Sequence, residues 1–284
     1  MNTYIGLDIG GTKFMVAAGG ADGAVARVTR AATPVDLAEG LALLHAMIAE
    51  VAGGAPLAGI GAAIGGPLDW QTGVVSPVHQ PQWRNVPLKA LMEARWGCPF
   101  HVDVDTNVAA LGEYALGAHT EHAMLYLTLS TGMGGGLVVD GALYRGAHGV
   151  HPEVGHQSVP FRCAHPERVA CDCGAPDCLE ALISGTGIRR IYGKAPEALA
   201  DEEWAEVAYN LGQGLRNLAA IYAPDVIVLG GGIAYGQGEL LLGPARETMA
   251  AHLRIVPAPR VELSQHGYDT ALMGALYIAR QGLR

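Results

Sequence analysis

The sequence predicts an α/β fold made of two related halves, and three observations predict it. A strand–glycine corner–strand unit occurs twice, at residues 4–18 closed by an Asp22-Gly23 turn and at residues 124–139 closed by Asp140-Gly141. After each copy, short apolar runs alternate with stretches of helical periodicity, the pattern of largely parallel sheets. The 40 glycines gather at corners instead of forming a low-complexity tract, and corners are where glycine's backbone freedom is useful.

Taken in order, the first unit and its turn give three strands. Residues 35–53 then carry helical spacing, with Leu37, Leu41, Leu44 and Ile48 on one stripe. Residues 57–63 read as a buried strand entering Ile64-Gly65-Gly66-Pro67, a corner expected to leave no room for side chains. A helix over 86–96, a strand over 100–104 and an Ala-rich helix over 106–116 follow, the last stopped by Gly117. The second half opens the same way at His122, and residues 146–180 read as a loop-like insertion rich in His, Pro, Cys and Gly. A helix over 202–222, a strand over 226–229 running into Gly230-Gly231-Gly232, a helix near 240–252, a strand around 261–263 and a terminal helix over 271–280 complete the chain. The boundary falls near 117–121. The expected lobes are 1–117 and 118–270, with the C-terminal helix, about 271–284, packing back on the first.

Composition narrows the function. Half the residues are hydrophobic and 16% are charged, so a sizeable core is expected and bulk disorder is not. A net charge of −9 with 18 Lys and Arg argues against nucleic-acid and anionic-membrane partners. An anionic ligand must then be held locally, by backbone N–H groups, helix ends or a metal. No basic segment precedes an apolar run at the N-terminus and no transmembrane-length apolar stretch occurs, so the expected location is cytoplasmic. The cysteine count of 5 is odd and fits no disulfide framework. Cys171, Cys173 and Cys178 lie close together, which points to metal.

Three constellations carry chemistry. Asp8-x-Gly10-Gly11-Thr12-Lys13 sits between two strands, so it is neither a dinucleotide fingerprint nor a P-loop. Its glycines permit close backbone approach to a ligand, and Asp8 is suited to a hydrated Mg²⁺ that a triphosphate would bring. A lone copy would read as a tight hairpin; the second copy and the run Gly230-Gly231-Gly232 favour ligand binding. Asp103-Val-Asp105-Thr-Asn107 puts two acids where a strand meets a helix, on one face if the strand extends that far. A carboxylate there suits the general base of phosphoryl transfer to an alcohol, and capping of the helix by Asp105 or Thr106 accounts for the residues equally well. His156, Cys171, Cys173 and Cys178 make a sufficient set for a closed tetrahedral zinc site, with Cys163, His151 and His165 as competing ligands.

The paired corners, the boundary and the third glycine run resemble the actin/hexokinase/heat-shock ATPase fold, two related ribonuclease H-like, actin-like domains with a cleft between them. Within it, Asp8-Ile-Gly-Gly-Thr-Lys13 together with Ser130-Thr-Gly-Met-Gly-Gly-Gly136 resembles the ROK family of bacterial sugar kinases over essentially the whole chain. The resemblance implies that Asp8, Gly10, Gly11, Thr12, Lys13, Thr131 and Gly132 serve the ATP phosphates and that Gly231 and Gly232 lie against adenosine. It selects Asp105 as catalytic base, through Asp105-x-Asn107-x-Ala-Ala-Leu-Gly-Glu113, and leaves Asp103 structural. It supports His156, Cys171, Cys173 and Cys178 as ligands of a structural Zn²⁺. It also implies that Gly65, Gly66, Asp105, Glu153, His156 and Glu180 bind sugar.

The implied activity is an ATP- and Mg²⁺-dependent hexose kinase acting on a primary hydroxyl, with O6 of glucose first and a fructokinase or an N-acetylmannosamine/mannose kinase as alternatives. Two signals conflict. His151-Pro152-Glu153-Val-Gly-His156 is closer to the fructokinase branch, whereas the cysteine run is closer to glucokinases and N-acetylhexosamine kinases. Many glucose-type members also carry Asn immediately before the base, where this chain has Val104. A sugar-responsive repressor is the non-enzyme alternative; such members resemble this chain preceded by a helix-turn-helix domain, and here the first strand starts almost at Met1. Family habit implies a homodimer or tetramer with roles in carbohydrate metabolism.

Overall fold

The computed structural model describes residues 2–117 and 119–283; residues 1, 118 and 284, which the expected lobe limits include, lie outside the described residues. The chain divides into two compact units. One comprises Met1–His119, Arg145–Val150 and Asp269–Arg284, the other Thr120–Tyr144 and His151–Tyr268.

The first unit opens with β1 (Thr3–Ile9), β2 (Lys13–Gly19) and β3 (Val25–Ala32), followed by α1 (Leu37–Ala52) and β4 (Leu57–Ile64). Three two-residue strands, β5 (Leu68–Asp69), β6 (Val74–Val75) and β7 (Val86–Pro87), form a small separate sheet. Then come α2 (Leu88–Trp96), β8 (Phe100–Val104) and α3 (Asp105–Leu116). The main sheet has the order β3-β2-β1-β4-β8, antiparallel through β3, β2 and β1 and parallel from β1 to β4 to β8.

The second unit repeats this plan. It runs β9 (Ala123–Leu129), β10 (Met133–Val139), β11 (Ala142–Leu143), α4 (Leu179–Ile183), α5 (Gly185–Tyr192), α6 (Asp201–Tyr222), β12 (Val226–Gly230), α7 (Gly232–Gln237), α8 (Glu239–Ala251) and β13 (Arg260–Leu263). Its sheet order is β11-β10-β9-β12-β13 with the same alternation of pairings. The chain ends in α9 (Thr270–Gln281), which belongs to the first unit.

Alternation explains the first core. Ile5, Leu7 and Ile9 point from β1 to one face, where they bury with Phe14 and Val16 of β2 and Leu44, Met47 and Ile48 of α1. On the opposite face Met15 and Ala17 pack on Leu272 and Leu276 of α9. Glycine sets how closely α9 can approach. A Cβ at Gly61 of β4 would stand 2.1 Å from the Ala275 carbonyl oxygen, and one at Gly274 would stand 2.0 Å from that of Val108 in α3. In the second unit, Leu125, Leu127 and Leu129 of β9 bury against Val207, Leu211, Leu215 and Leu218 of α6.

Most expected elements appear within a residue or two of their predicted ends. The helix expected over 86–96 starts at Leu88, because Val86 and Pro87 pair with β6. Gly117 ends α3 without the left-handed conformation that makes glycine a stop; its φ is −77°, in contrast to +58° at Gly53 after α1. The insertion is loop-like as expected, with short 3-10 turns and one bridge between Ser158 and Cys178.

Candidate active site

The first unit presents the first glycine corner as a hairpin tip. Ile9 pairs with Phe14, and Gly11, Thr12 and Lys13 stand exposed between them. The tip is held from beneath. Gly10 N–H donates to the Lys13 carbonyl at 3.0 Å, while the Gly10 carbonyl accepts from Thr33 Oγ1 at 2.6 Å and Gln80 Nε2 at 3.3 Å. A Cβ at Gly11 would come within 3.0 Å of His79 Cβ. Neither Gly10 nor Gly11 has positive φ, so these glycines supply clearance, not unusual backbone torsion.

Asp8 lies on β1 just before this tip, paired with Ala63 of β4. Desolvation raises its carboxyl to about 7; the nearby Asp105 charge adds to the rise, Lys13 opposes it and Asp269 reinforces it. A carboxylate held that reluctantly ionised is primed for a cation, the environment a hydrated Mg²⁺ would relieve.

Asp105 is the first residue of α3, since β8 ends at Val104. The two acids therefore do not share a strand face. Asp105 Oδ1 accepts the Thr106 N–H at 2.7 Å, which keeps its carboxylate at the helix N-terminus, where the helix dipole favours negative charge. The residue in the N-cap position is Val104, which has no side-chain cap. Asp103 is buried; its Oδ1 accepts from Val104 N at 2.7 Å and Asn107 Nδ2 at 3.1 Å, and its Oδ2 pairs with Arg145 at 2.5 Å.

The Gly65-Gly66 corner, also in the first unit, corrects one expectation. A Cβ at Gly65 would touch only Pro77 Cβ, at 4.0 Å, so there is room for a methyl group. The corner is instead braced by backbone: Ser76 N donates to Pro67 O and Val78 N to Gly66 O, both at 2.9 Å.

In the second unit the second corner joins β9 to β10 through Ser130, Thr131 and Gly132. Its carbonyls are occupied from α5: Gly185 N donates to Ser130 O at 2.8 Å and Thr186 N to Thr131 O at 3.0 Å. Glu180 Oε2 accepts the Met133 N–H at 2.8 Å, so this expected sugar ligand braces the second corner. Gly231 follows β12 with φ +90°, and a Cβ there would meet the Leu129 carbonyl oxygen at 2.2 Å. Beside Gly232 lies Tyr268, whose ring centroid is 5.4 Å from that of Tyr235; the sequence singled out neither tyrosine.

His156, Cys171, Cys173 and Cys178 come together, their ligand atoms all within 4.8 Å of one another. His156 Nδ1 is 3.5 Å from Cys178 Sγ and 3.6 Å from Cys171 Sγ. Tetrahedral angles with usual Zn–N and Zn–S lengths require about 3.6 Å between such atoms. The donor set and its spacing therefore fit Zn²⁺. Burial pushes the Cys178 thiol up to about 12 and the Cys171 thiol upward, whereas N–H donation from Ala175 lowers exposed Cys173. A cation entering the site must displace those protons. The competing ligands stand apart from this group: His151 faces Glu153 at 3.5 Å and His165 faces Glu167 at 3.8 Å, while Cys163 packs against the core. With Nδ1 toward the thiols, His156 turns Nε2 to Glu153 Oε2 at 3.9 Å, and the Glu153 side chain is 55% exposed.

Sequence reasoning missed the braces. Thr33, Gln80 and Arg145 are far in sequence from the groups they hold, and no local pattern marked them.

The profile of the ROK family matches residues 4–282. A glucokinase of Halalkalibacterium halodurans is 31% identical over 320 residues, covering 98% of this chain and 95% of that protein. A fructokinase of Zymomonas mobilis is 33% identical over 250 residues, covering 81% of this chain and 80% of that protein. A solved ROK family glucokinase from Streptomyces griseus, in complex with glucose and AMPPNP, superposes with a TM-score of 0.82 at 29% identity, covering 99% of this chain and 100% of that one. The duplicated sheet plan and a family match spanning nearly every residue lead to one conclusion: the chain belongs to the ROK family.

Proposed function

We propose that this protein is a glucokinase, transferring the γ-phosphoryl group of Mg-ATP to O6 of glucose. It is an ATP-dependent sugar kinase by its kinship. The observation that carries the glucose reading is full-length similarity to glucokinases at about the 30% level, one of them solved with glucose and a nucleotide analogue.

In this reading Asp105 accepts the proton of the attacking hydroxyl. Gly10, Gly11, Thr12 and Lys13, with Thr131 and Gly132, hold the phosphates through backbone N–H groups, hydroxyls and the Lys13 ammonium. Gly231 and Gly232 are assigned to adenosine, with the Tyr268 ring beside Gly232. Mg²⁺, when bound with ATP, neutralises phosphate charge, and Asp8 is the residue that would hold its hydration shell. Glu153 and Glu180 supply carboxylate acceptors for sugar hydroxyls, and His156, with Nδ1 committed to the thiols, supplies an Nε2–H donor; Gly65 and Gly66 are the further residues assigned to the sugar. Zinc on His156, Cys171, Cys173 and Cys178 is structural, because four protein donors leave no position for substrate. The protein acts in the cytoplasm as a homodimer or tetramer. Among the described residues no helix is long and apolar enough to cross a membrane.

A second reading, fructokinase, is favoured by the 33% identity to the Zymomonas mobilis enzyme and by Val104 and His151-Pro152-Glu153. A polar group missing from a sugar site changes discrimination strongly, and Val104 is buried and apolar.

The test is ADP release with Mg-ATP against glucose, fructose, mannose and N-acetylmannosamine. Glucose should give the highest kcat/KM. Fructose in first place would install the second reading, and no release with any hexose would remove the kinase reading altogether.

A further inference from the structure

An arginine side chain is rarely buried unless something holds it. The Arg145 side chain is 13% exposed, and it pairs with an Asp103 side chain that is 2% exposed. Its guanidinium carbon stands 4.0 Å from the centroid of the Trp70 ring. The same ring is edged by Gly149, where φ is +78° and a Cβ would stand 3.0 Å from Trp70 Nε1. Arg145–Val150 thus joins the first unit, although the residues on both sides of it belong to the second.

At its other end the ion pair reaches the β8–α3 corner. Asp103 Oδ1 accepts from the backbone of Val104 and from the side chain of Asn107. Those partners flank Asp105, one residue before it and two after. Asp103 therefore stitches the last strand residue to the first turn of α3, and Asp105 lies inside the stitch.

As a stability device this arrangement is poor. Arg145 Nε and Nη1 are buried without an acceptor among the described residues, and a buried ion pair commonly does no better than apolar side chains of the same volume. What it supplies is orientation. The guanidinium is planar, permanently charged and stackable, so Trp70 fixes its plane and the plane fixes the Asp103 carboxylate.

We propose that Arg145 is a positioning residue for phosphoryl transfer: through Asp103 it locks the β8–α3 corner and so aims the Asp105 carboxylate. The proposal rests on the reading of Asp105 as the base. It requires no contact between Arg145 and either substrate.

The experiment uses the full chain with zinc retained and measures kcat and both KM values for Arg145→Met, Arg145→Lys, Asp103→Asn with Arg145→Met, and Asp105→Asn. Loss of aim should lower kcat of Arg145→Met on the order of 10²-fold, with the KM values for ATP and sugar little changed. Arg145→Lys should recover part of the loss. The double variant should exceed Arg145→Met, because the amide oxygen introduced by Asp103→Asn would still accept from Val104 and Asn107 with no charge left stranded. A folded Arg145→Met enzyme with wild-type kcat, or one whose loss lies in KM, overturns the proposal. If Arg145→Met does not fold, Trp70→Leu keeps the ion pair without its platform, and an unchanged kcat there overturns it equally. Turnover surviving in Asp105→Asn would instead strike the base assignment itself.

Discussion

Replacing Asp8 by Asn should stabilise the ligand-free protein at neutral and alkaline pH, and the size follows from where the carboxyl titrates. Burial in β1, the Asp105 charge and Asp269 raise it from 3.8 to about 7 against the pull of Lys13. In the unfolded chain the same group loses its proton near the unperturbed value. Between the two values the folded state keeps a proton that the unfolded state has released, so stability falls as pH rises through that window. Below it both states are protonated and there is no cost; above it both are ionised and the cost is complete. The span from 3.8 to about 7 corresponds to an upper bound of about 4 kcal/mol. Asn cannot ionise and escapes this dependence. Urea unfolding of wild type and Asp8→Asn, in chelator and without nucleotide, should show a gap that grows from about pH 4 to about pH 8 in favour of the variant. The slope is the readout, since lost contacts shift the gap by a constant. A flat gap, or a wild type that gains on the variant as pH rises, would refute the argument.

Three further outcomes follow from the same geometry. Cys171→Ser or Cys178→Ser should lower zinc content by elemental analysis and open residues 146–180 to protease; unchanged stoichiometry would mean the ligand set is wrong. Zinc affinity should weaken as pH falls, because thiol protons such as that of Cys178, held up to about 12, must leave for the metal to enter; competition with a chromophoric chelator reads this. Alanine at two glycines should separate packing from ligand clearance. Gly61→Ala drives a methyl to 2.1 Å from Ala275 O and should cost about 3 kcal/mol or more in urea unfolding, whereas Gly65→Ala meets only Pro77 at 4.0 Å and should leave stability alone while raising the sugar KM.

The fold was legible because its signals are local and repeated. Strand alternation in β1 and β9, glycine at both corners and the apolar stripe of α1 each sit within a few residues of what they specify. The cluster of His156, Cys171, Cys173 and Cys178 was legible for a similar reason, as the three cysteines are near neighbours and His156 alone comes from afar. What was not legible depends on tertiary contact. Asp103 and Asp105 are separated by one residue, and whether they share a face depends on where β8 stops, which is at Val104. Gly65 and Gly61 look alike in sequence, yet one faces open space and the other a helix backbone. Arg145 is uninformative as a letter; its role comes from Asp103 and Trp70, both brought to it by folding.

The proposed chemistry turns on Asp105, held at the start of α3, acting as the general base of a sugar kinase. Rapid-quench turnover of Mg-ATP and glucose by Asp105→Asn, with glucose 6-phosphate quantified, tests it most directly. The rate should fall by about 10²–10⁴-fold, with unchanged melting temperature, zinc content and nucleotide affinity. A variant that keeps folding and substrate binding and still forms glucose 6-phosphate at close to the wild-type rate would contradict it.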